Sequence, residues 1–132
     1  MVAVYDRPAK NLLFDTGERV ALLREGLGAL PGVLVESYSG LTVEYAVRRG
    51  ACAMVRGLRA TADFEYEYQL ALMNRHLQPE IEAVFLMTSL EYAHISSSLV
   101  KEIARLGAEV KGLVPPHVAA ALERKFAGSP RV

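Results

Sequence analysis

The sequence lacks an excess of charge of either sign. Lys and Arg together number 15, and so do Asp and Glu, which makes the formal net charge zero. Without net charge, a protein has no long-range field that steers it to nucleic acid or to an anionic membrane. We therefore expect neither of these partners, while a small local cationic pocket remains compatible with the balance.

Cysteine and long hydrophobic runs are also scarce. The single cysteine, Cys52, excludes an internal disulfide, and its place in the apolar run Ala51–Val55 predicts a buried thiol in a reducing compartment. No run reaches the roughly 18 apolar residues of a membrane span. Met1–Tyr5 is apolar but short, and charged residues follow it at once, so we expect no secretory leader. A cytoplasmic protein without a membrane partner is the expectation.

Common sequence signatures of catalysis are missing too. Neither a GxGxxG nor a GxxxxGK[ST] phosphate loop occurs. His76, His94, His117 and Cys52 do not have the spacing of a metal cage, and no Ser-His-Asp order is recognisable. Nothing in the sequence calls for a covalent nucleophile, so the candidate site is one of non-covalent substrate binding.

Short apolar runs instead alternate with amphipathic stretches along the chain. The runs predict strands at Val2–Tyr5, Val33–Ser37, Ala51–Val55 and Ala83–Met87, and the stretches predict helices at Asp15–Leu27, Leu41–Val47, Ala62–Leu77, Ser96–Leu106 and Pro115–Phe126. This alternation indicates an α/β fold in a single domain over residues 1–132, with a parallel sheet flanked by helices. The third and fourth strands are continuously apolar, which predicts burial on both faces.

Ligands of such sheets bind beyond the carboxyl ends of the strands, here after Tyr5, Ser37, Val55 and Met87. The segment after the third predicted strand is the most informative, because Arg56 and Arg59 follow it with a glycine between them. Guanidinium groups match phosphate oxygens, and a glycine lets the backbone approach a ligand closely. The segment therefore predicts a phosphate site.

An alternative interpretation of the two arginines is purely structural. Asp63, Glu65 and Glu67 follow on the next predicted helix, and either guanidinium could pair with one of these carboxylates. For a single arginine, an ion pair with one of these carboxylates explains its presence as well as a bound phosphate does. For both arginines on one loop, we favour phosphate.

Three serines, Ser96–Ser98, open the helix that follows the fourth strand. The free N–H groups of a first helical turn and the helix dipole favour an anion, and serine hydroxyls add donors. The alternative is that the serines only cap the helix. Their position after a parallel strand favours the anion site, to which Lys101 would add a positive charge.

Five stretches resemble, in order and in spacing, the phosphopantetheine adenylyltransferases: Arg56–Ala60, Asp63–Glu67, Met73–Leu77, Ile95–Glu102 and Leu113–Pro116. The similarity extends from Val2 to about Leu122. It implies a Rossmann-like nucleotidyltransferase fold and the transfer of an adenylyl group from ATP to 4′-phosphopantetheine, giving dephospho-coenzyme A and pyrophosphate, with Mg²⁺. It also implies a homo-oligomer, namely a hexamer. The helix Ala62–Leu77 fits this, because its residues Leu70, Leu72, Met73 and Leu77 make it apolar on more than one face, so that one face could cover the sheet and another a neighbouring subunit.

The resemblance also implies which residues contact the substrates. Lys10, Thr42 (through its backbone) and Arg56 would contact 4′-phosphopantetheine. The residues that would contact ATP are Gly57, Leu58, Arg59, Glu67, Tyr92, Ala93, His94, Ile95, Ser96, Ser97 and Ser98. Within that set, Ser97 and Ser98 would lie at the phosphates and Glu67 at the nucleoside.

The family's chain opens with a strand, a glycine-containing loop and a T/HxGH motif, none of which precedes Met1. The family's transition-state histidine therefore has no counterpart here, and we assign no catalytic residue. In the strand order 3-2-1-4-5 that the resemblance implies, the first strand is central, so the strands Val2–Tyr5 and Ala51–Val55 would lose a partner. We expect that the native frame starts upstream of Met1; the alternatives are that the two strands pair directly or that another chain fills the gap.

Two other functions stay open at this point. One is a catalytically inactive, truncated remnant that binds nucleotide or assembles with full-length subunits. The other is a related nucleotidyltransferase with a different acceptor, which the stretch from Arg56 to Leu77 disfavours because it is similar to the pantetheine enzymes.

Overall fold

The computed structural model describes residues 1–6 and 12–127. In these ranges it has four strands and five helices: β1 (Val2–Tyr5), α1 (Thr16–Leu27), β2 (Val35–Tyr38), α2 (Thr42–Arg48), β3 (Ala53–Leu58), α3 (Thr61–Leu77), β4 (Glu82–Met87), α4 (Ser97–Arg105) and α5 (Pro116–Phe126). The alternation confirms the predicted α/β class. Of the helices described, none combines the length and the apolar character that crossing a bilayer requires.

Local side-chain chemistry sets the helix boundaries. The Asp15 carboxylate accepts a hydrogen bond from the Glu18 backbone N–H at 2.8 Å, and the Glu18 carboxylate accepts one from the Asp15 N–H at 2.9 Å. This reciprocal capping box satisfies two N–H groups that a helix start would otherwise leave without partners, so α1 begins at Thr16. Pro116 opens α5, where its missing N–H is not needed.

The described residues within 1–37 and 95–132 form one compact unit. In it, β1 pairs with β2, and the Val2 N–H donates to the Leu34 carbonyl at 2.7 Å. The core of this unit consists of Val100, Val110 and Leu122, against which the remaining apolar stripe of α5 packs. One face of the last helix therefore covers this core.

Residues Tyr38–His94 form a second compact unit with its own core. Strands β3 and β4 are parallel in it, in a register that runs from Ala53 opposite Glu82 to Leu58 opposite Met87. Its buried cluster is Val43, Ala46 and Ile81, with Ala51 and Met54 packed against it. The parallel pairing of these two strands was predicted, while the single domain over residues 1–132 stays a prediction.

Two strands end later than the sequence indicated. β3 runs to Leu58, so Arg56, Gly57 and Leu58 belong to the strand and only Arg59 follows it. The extension is explained by pairing, because each of these three residues has a register partner on β4. β2 likewise ends at Tyr38 rather than at Ser37.

The predicted burial of β3 and β4 on both faces is wrong. Successive residues of a strand point to opposite faces, and Met54 lies on the face that packs against the core cluster. On the other face, Val55 is 62% exposed, and Val84 and Leu86 are exposed as well. Cys52, predicted as a buried thiol, is also exposed; the prediction placed it inside the third strand, whereas β3 begins at Ala53.

The described strands form two sheets of two strands each, β1 with β2 and β3 with β4. Direct pairing of β1 with β3 was one of the arrangements that the sequence left open. This arrangement stays a prediction, because the two strands belong to different compact units.

Leu122→Ala tests the core of the first unit. Leu122 is only 2% exposed, so truncation leaves a cavity, and we expect the free energy of unfolding to fall by about 2–5 kcal/mol. The matched control is Leu106→Ala, at a site that is 53% exposed, which should change it by less than about 1 kcal/mol. Urea titrations followed by circular dichroism measure both. Equal losses in the two variants would contradict this assignment of the core.

Candidate functional site

Arg56 lies in β3 and is held by a carboxylate of α3. Its Nε donates to Glu67 Oε2 at 2.8 Å, and its Nη2 donates to Glu67 Oε1 at 2.5 Å. Two parallel bonds of this kind are the strongest form of arginine–carboxylate pairing. The hydrogen bond to Glu67 raises the pKa of the Arg56 guanidinium above its ordinary value, so the group is a permanent cation.

Arg59, the first residue beyond β3, is paired with Asp63 in the first turn of α3. Its Nε lies 3.0 Å from Asp63 Oδ2, and its backbone N–H donates to the same oxygen at 3.2 Å. The Arg59 side chain and then its backbone N–H, as hydrogen-bond donors, lower the pKa of the Asp63 carboxyl. Because α3 has no capping side chain at Ala60, Asp63 also fixes the strand-to-helix turn.

Both arginines thus make the carboxylate pairs that were the structural alternative in the sequence. This finding does not remove their capacity to bind phosphate. A guanidinium has five N–H donors, more than one carboxylate can accept, and both side chains remain about half exposed. The pairs hold the two cations at the carboxyl end of β3 instead of leaving them to move freely.

Tyr38 is a residue of this region that the sequence analysis did not single out. Its hydroxyl lies 2.7 Å from the hydroxyl of Thr42, and its ring stacks on Tyr45 with the centroids 4.6 Å apart. The Arg48 guanidinium lies over the other aromatic ring of the stack, 5.9 Å from the Tyr45 centroid. The signal in the sequence was an aromatic residue directly after the second predicted strand.

The α4 N-terminus, in the first unit, was the second predicted anion site. The Ser96 hydroxyl accepts a hydrogen bond from the Leu99 N–H at 3.2 Å, so this serine caps the helix, as the structural alternative stated. Ser97 and Ser98 occupy the first turn and are exposed. Of the three serines, two therefore present their side chains to solvent at a helix N-terminus, where an anion is favoured.

The other predicted contact residues differ in accessibility. Tyr92 and His94 are exposed in the turn between β4 and α4, whereas the Leu58 side chain is buried and offers only its backbone. A side-chain carbon at Gly57 would meet no atom within 4 Å. Lys10 lies outside the described residues.

The part of the chain that the structure describes has no cluster of side-chain ligands for the expected Mg²⁺. No group of three or more His, Cys, Asp or Glu side chains there is arranged to hold a metal ion. Mg²⁺ typically uses one or two carboxylates together with substrate phosphates, so the donors present fit an ion carried by a nucleotide better than a resident one.

Comparison with known proteins agrees with this chemistry. Residues 1–103 match the family model described as cytidylyltransferase-like. The phosphopantetheine adenylyltransferase of Anaeromyxobacter dehalogenans is 51% identical over 131 residues, which is 99% of this chain and 80% of the relative. The enzyme of the same name from Methylococcus capsulatus is 51% identical over 129 residues, or 98% of this chain and 80% of the relative. The chain thus spans about four fifths of their length.

The Asp63 carboxylate gives a pH-dependent test of the turn after β3. Its pKa is lowered in the folded state. The ion pair therefore stabilises the fold at pH values above the ordinary aspartate pKa of about 3.9. This stabilisation is lost as the pH falls through the pKa that Asp63 has in the folded state. We expect an NMR titration to place the Asp63 pKa below about 3.9 and the Arg59→Gln variant to return it toward that value. An unchanged Asp63 pKa in Arg59→Gln would show that the guanidinium does not cause the shift.

Proposed function

The chain belongs to the phosphopantetheine adenylyltransferase family, and on that premise we propose that it transfers the adenylyl group of ATP to 4′-phosphopantetheine. A phosphate oxygen of the acceptor attacks the α-phosphorus of ATP, the new P–O bond gives dephospho-coenzyme A, and pyrophosphate leaves. Relatives named for this reaction are about 51% identical to this chain over nearly its whole length. The observation that carries the proposal is the pair of permanent cations held at the end of β3.

In this proposal the chain binds and orients two anionic substrates. Arg56 takes the phosphate of the acceptor, and Arg59 takes phosphate oxygens of ATP. The contacts of Ser97 and Ser98 with the ATP phosphates stay predictions from the resemblance. Guanidinium groups and helix N-terminal donors suit these roles because they stabilise negative charge where it increases during transfer. The contacts of Thr42, of Gly57 and Leu58, and of the turn residues 92–95 stay predictions from the resemblance.

Mg²⁺ enters the proposal as a companion of ATP. When bound, it neutralises phosphate charge, and the donors described above do not replace it. The cytoplasmic location stays a prediction as well.

The alternative of a truncated, catalytically inactive remnant is not better supported than the enzyme. The relatives are named as the enzyme, and the cations expected at its substrate phosphates are present and partly exposed. A different acceptor is likewise less well supported, because the relatives' name specifies phosphopantetheine.

We further propose that the chain forms a homo-oligomer through α3. Phe64, Tyr68 and Leu72 are spaced four residues apart, so they form one stripe along the helix, and all three are exposed. The rings of Phe64 and Tyr68 stack at 5.7 Å, which makes part of this stripe a flat apolar surface. Such a surface on a helix is typical of an interface with another copy.

Pyrophosphate release by this chain tests the function. We expect release that requires both ATP and 4′-phosphopantetheine. In Arg59→Ala, kcat/KM for ATP should fall about 10- to 100-fold, which corresponds to the ~1.5–3 kcal/mol of a hydrogen bond to a charged group. Arg124→Ala, which removes an exposed cation from α5, is the control and should leave the rate unchanged. Turnover with another phosphate acceptor but not with 4′-phosphopantetheine would contradict the proposed substrate.

Light scattering after size exclusion tests the oligomer. Leu72→Glu places a charge in the exposed stripe of α3, and an unpaired charge is not tolerated in an apolar interface. We expect the native chain to elute as an oligomer and the variant as smaller species. The control is Leu90→Glu, at a still more exposed apolar residue outside the helices. A native chain that is monomeric at micromolar concentration would refute the proposal.

A further inference from the structure

We propose that Tyr38 is a positioning residue, whose phenol turns the Thr42 hydroxyl toward a phosphate oxygen of the acceptor, next to Arg56. The inference rests on the proposed adenylyl transfer and gives a role to two side-chain hydroxyls. The resemblance implied a contact for the backbone of Thr42 alone, and it gave Tyr38 no role.

The first support is the place of Thr42 relative to Arg56. Thr42 opens α2 and precedes Val43, which is fully buried in the core cluster of the second unit. Met54 of β3 packs against this cluster, and Arg56 is two residues further along the strand, so both side chains leave β3 on the same face. The core that anchors α2 therefore lies on the face of β3 from which the guanidinium extends.

The second support is the proximity of the Tyr38 phenol to the same guanidinium. Glu67, through its hydrogen bond and then its charge, is the main cause of the raised pKa of Arg56, and the phenols of Tyr38 and Tyr66 raise this pKa further. Electrostatic effects of this kind weaken with distance, so the Tyr38 hydroxyl lies in the neighbourhood of the guanidinium. A phosphate bound to Arg56 would have the hydroxyls of Tyr38 and Thr42 beside it.

The third support is the direction of the hydrogen bond between the two hydroxyls. Their oxygens lie 2.7 Å apart. A phenol is a far stronger acid than an alkyl alcohol, so Tyr38 is the better donor and the Thr42 oxygen the better acceptor. With Tyr38 as the donor, the O–H of Thr42 is not used in this bond. In the part of the chain that the structure describes, Thr42 has no side-chain partner besides Tyr38, so this O–H is left to donate to a ligand.

The fourth support is that the phenol is itself held in place. Its ring stacks on the ring of Tyr45, which is buried. Gly40, in the turn between Tyr38 and Thr42, has a φ of 82°, a conformation that suits glycine and few other residues. Since the N-cap residue Leu41 has no capping side chain, the contact between the hydroxyls also fixes the start of α2.

Tyr38→Phe removes the phenolic hydroxyl and keeps the stacked ring. We expect the Kd of 4′-phosphopantetheine, measured by calorimetry without ATP, and its KM to rise about 3- to 10-fold, while the Kd and KM of ATP change less than about twofold. Tyr68→Phe, the same change at an exposed ring of α3, is the control and should alter none of these constants. Native acceptor affinity in Tyr38→Phe, or an equal loss of ATP affinity, would overturn the inference.

Two variants of Thr42 separate its hydroxyl from the shape of its side chain. Thr42→Val keeps the shape and loses the hydroxyl, so we expect its Kd for 4′-phosphopantetheine to rise at least as much as that of Tyr38→Phe. Thr42→Ser keeps the hydroxyl and should bind the acceptor within about twofold of the native chain. Equal losses in the two variants would contradict a role of the hydroxyl, and so would native affinity in Thr42→Val.

A double-mutant cycle shows whether Tyr38 acts through Thr42. In a Thr42→Val background, Tyr38→Phe should weaken acceptor binding no further, because the hydroxyl that it positions is gone. Additive losses would refute positioning, since Tyr38 would then act on the acceptor without Thr42.

The same calorimetry keeps the inference apart from the proposed function. A native chain that binds 4′-phosphopantetheine but releases no pyrophosphate would refute the proposed function, and the comparison of variants would still decide the role of Tyr38. A native chain without measurable affinity for 4′-phosphopantetheine would overturn the inference itself.

Discussion

Two carboxylates one turn apart on α3 hold two guanidinium groups at the end of β3, and the candidate site depends on this pairing. Asp63 and Glu67 are four residues apart and therefore lie on one side of the helix. Arg56, in β3, and Arg59, the first residue after it, reach that side, and each arginine meets one carboxylate. Near-surface ion pairs contribute little to stability, so their main effect here is on orientation. A disordered pair of arginines would carry the same charge but would present no defined fork to a phosphate.

The sequence predicted the class of fold and most of its elements, because those depend on local signals. The alternation of apolar and amphipathic stretches is such a signal. The capping pair at Asp15 and Glu18 and the two prolines at the start of α5 likewise act within a few residues. The strand ends at Tyr38 and Leu58 were missed, because strand length is set by a partner that is distant in sequence. The exposure of Val55 and Cys52 was missed for a related reason, since an apolar run does not say what covers it.

The chemistry of the site was predicted only in part. The sequence identified Arg56 and Arg59 and the acidic residues that might pair with them, but it could not show whether a carboxylate or a ligand would hold each cation. It also could not tell which serine caps α4, because three adjacent serines carry the same signal and only the backbone geometry selects Ser96. The contact between the hydroxyls of Tyr38 and Thr42 had no sequence signal beyond the identity of the two residues.

The stacked rings of Tyr38 and Tyr45 have an optical consequence. The chain has six tyrosines and no tryptophan, so its intrinsic ultraviolet emission comes from tyrosine alone. The hydroxyl of Tyr38, one of the two stacked residues, forms a hydrogen bond with the hydroxyl of Thr42. The family resemblance assigns the backbone of Thr42 to the binding of 4′-phosphopantetheine. Emission from a phenol depends on the state of its hydroxyl, so a ligand that displaced this contact would change the fluorescence of the unlabelled protein.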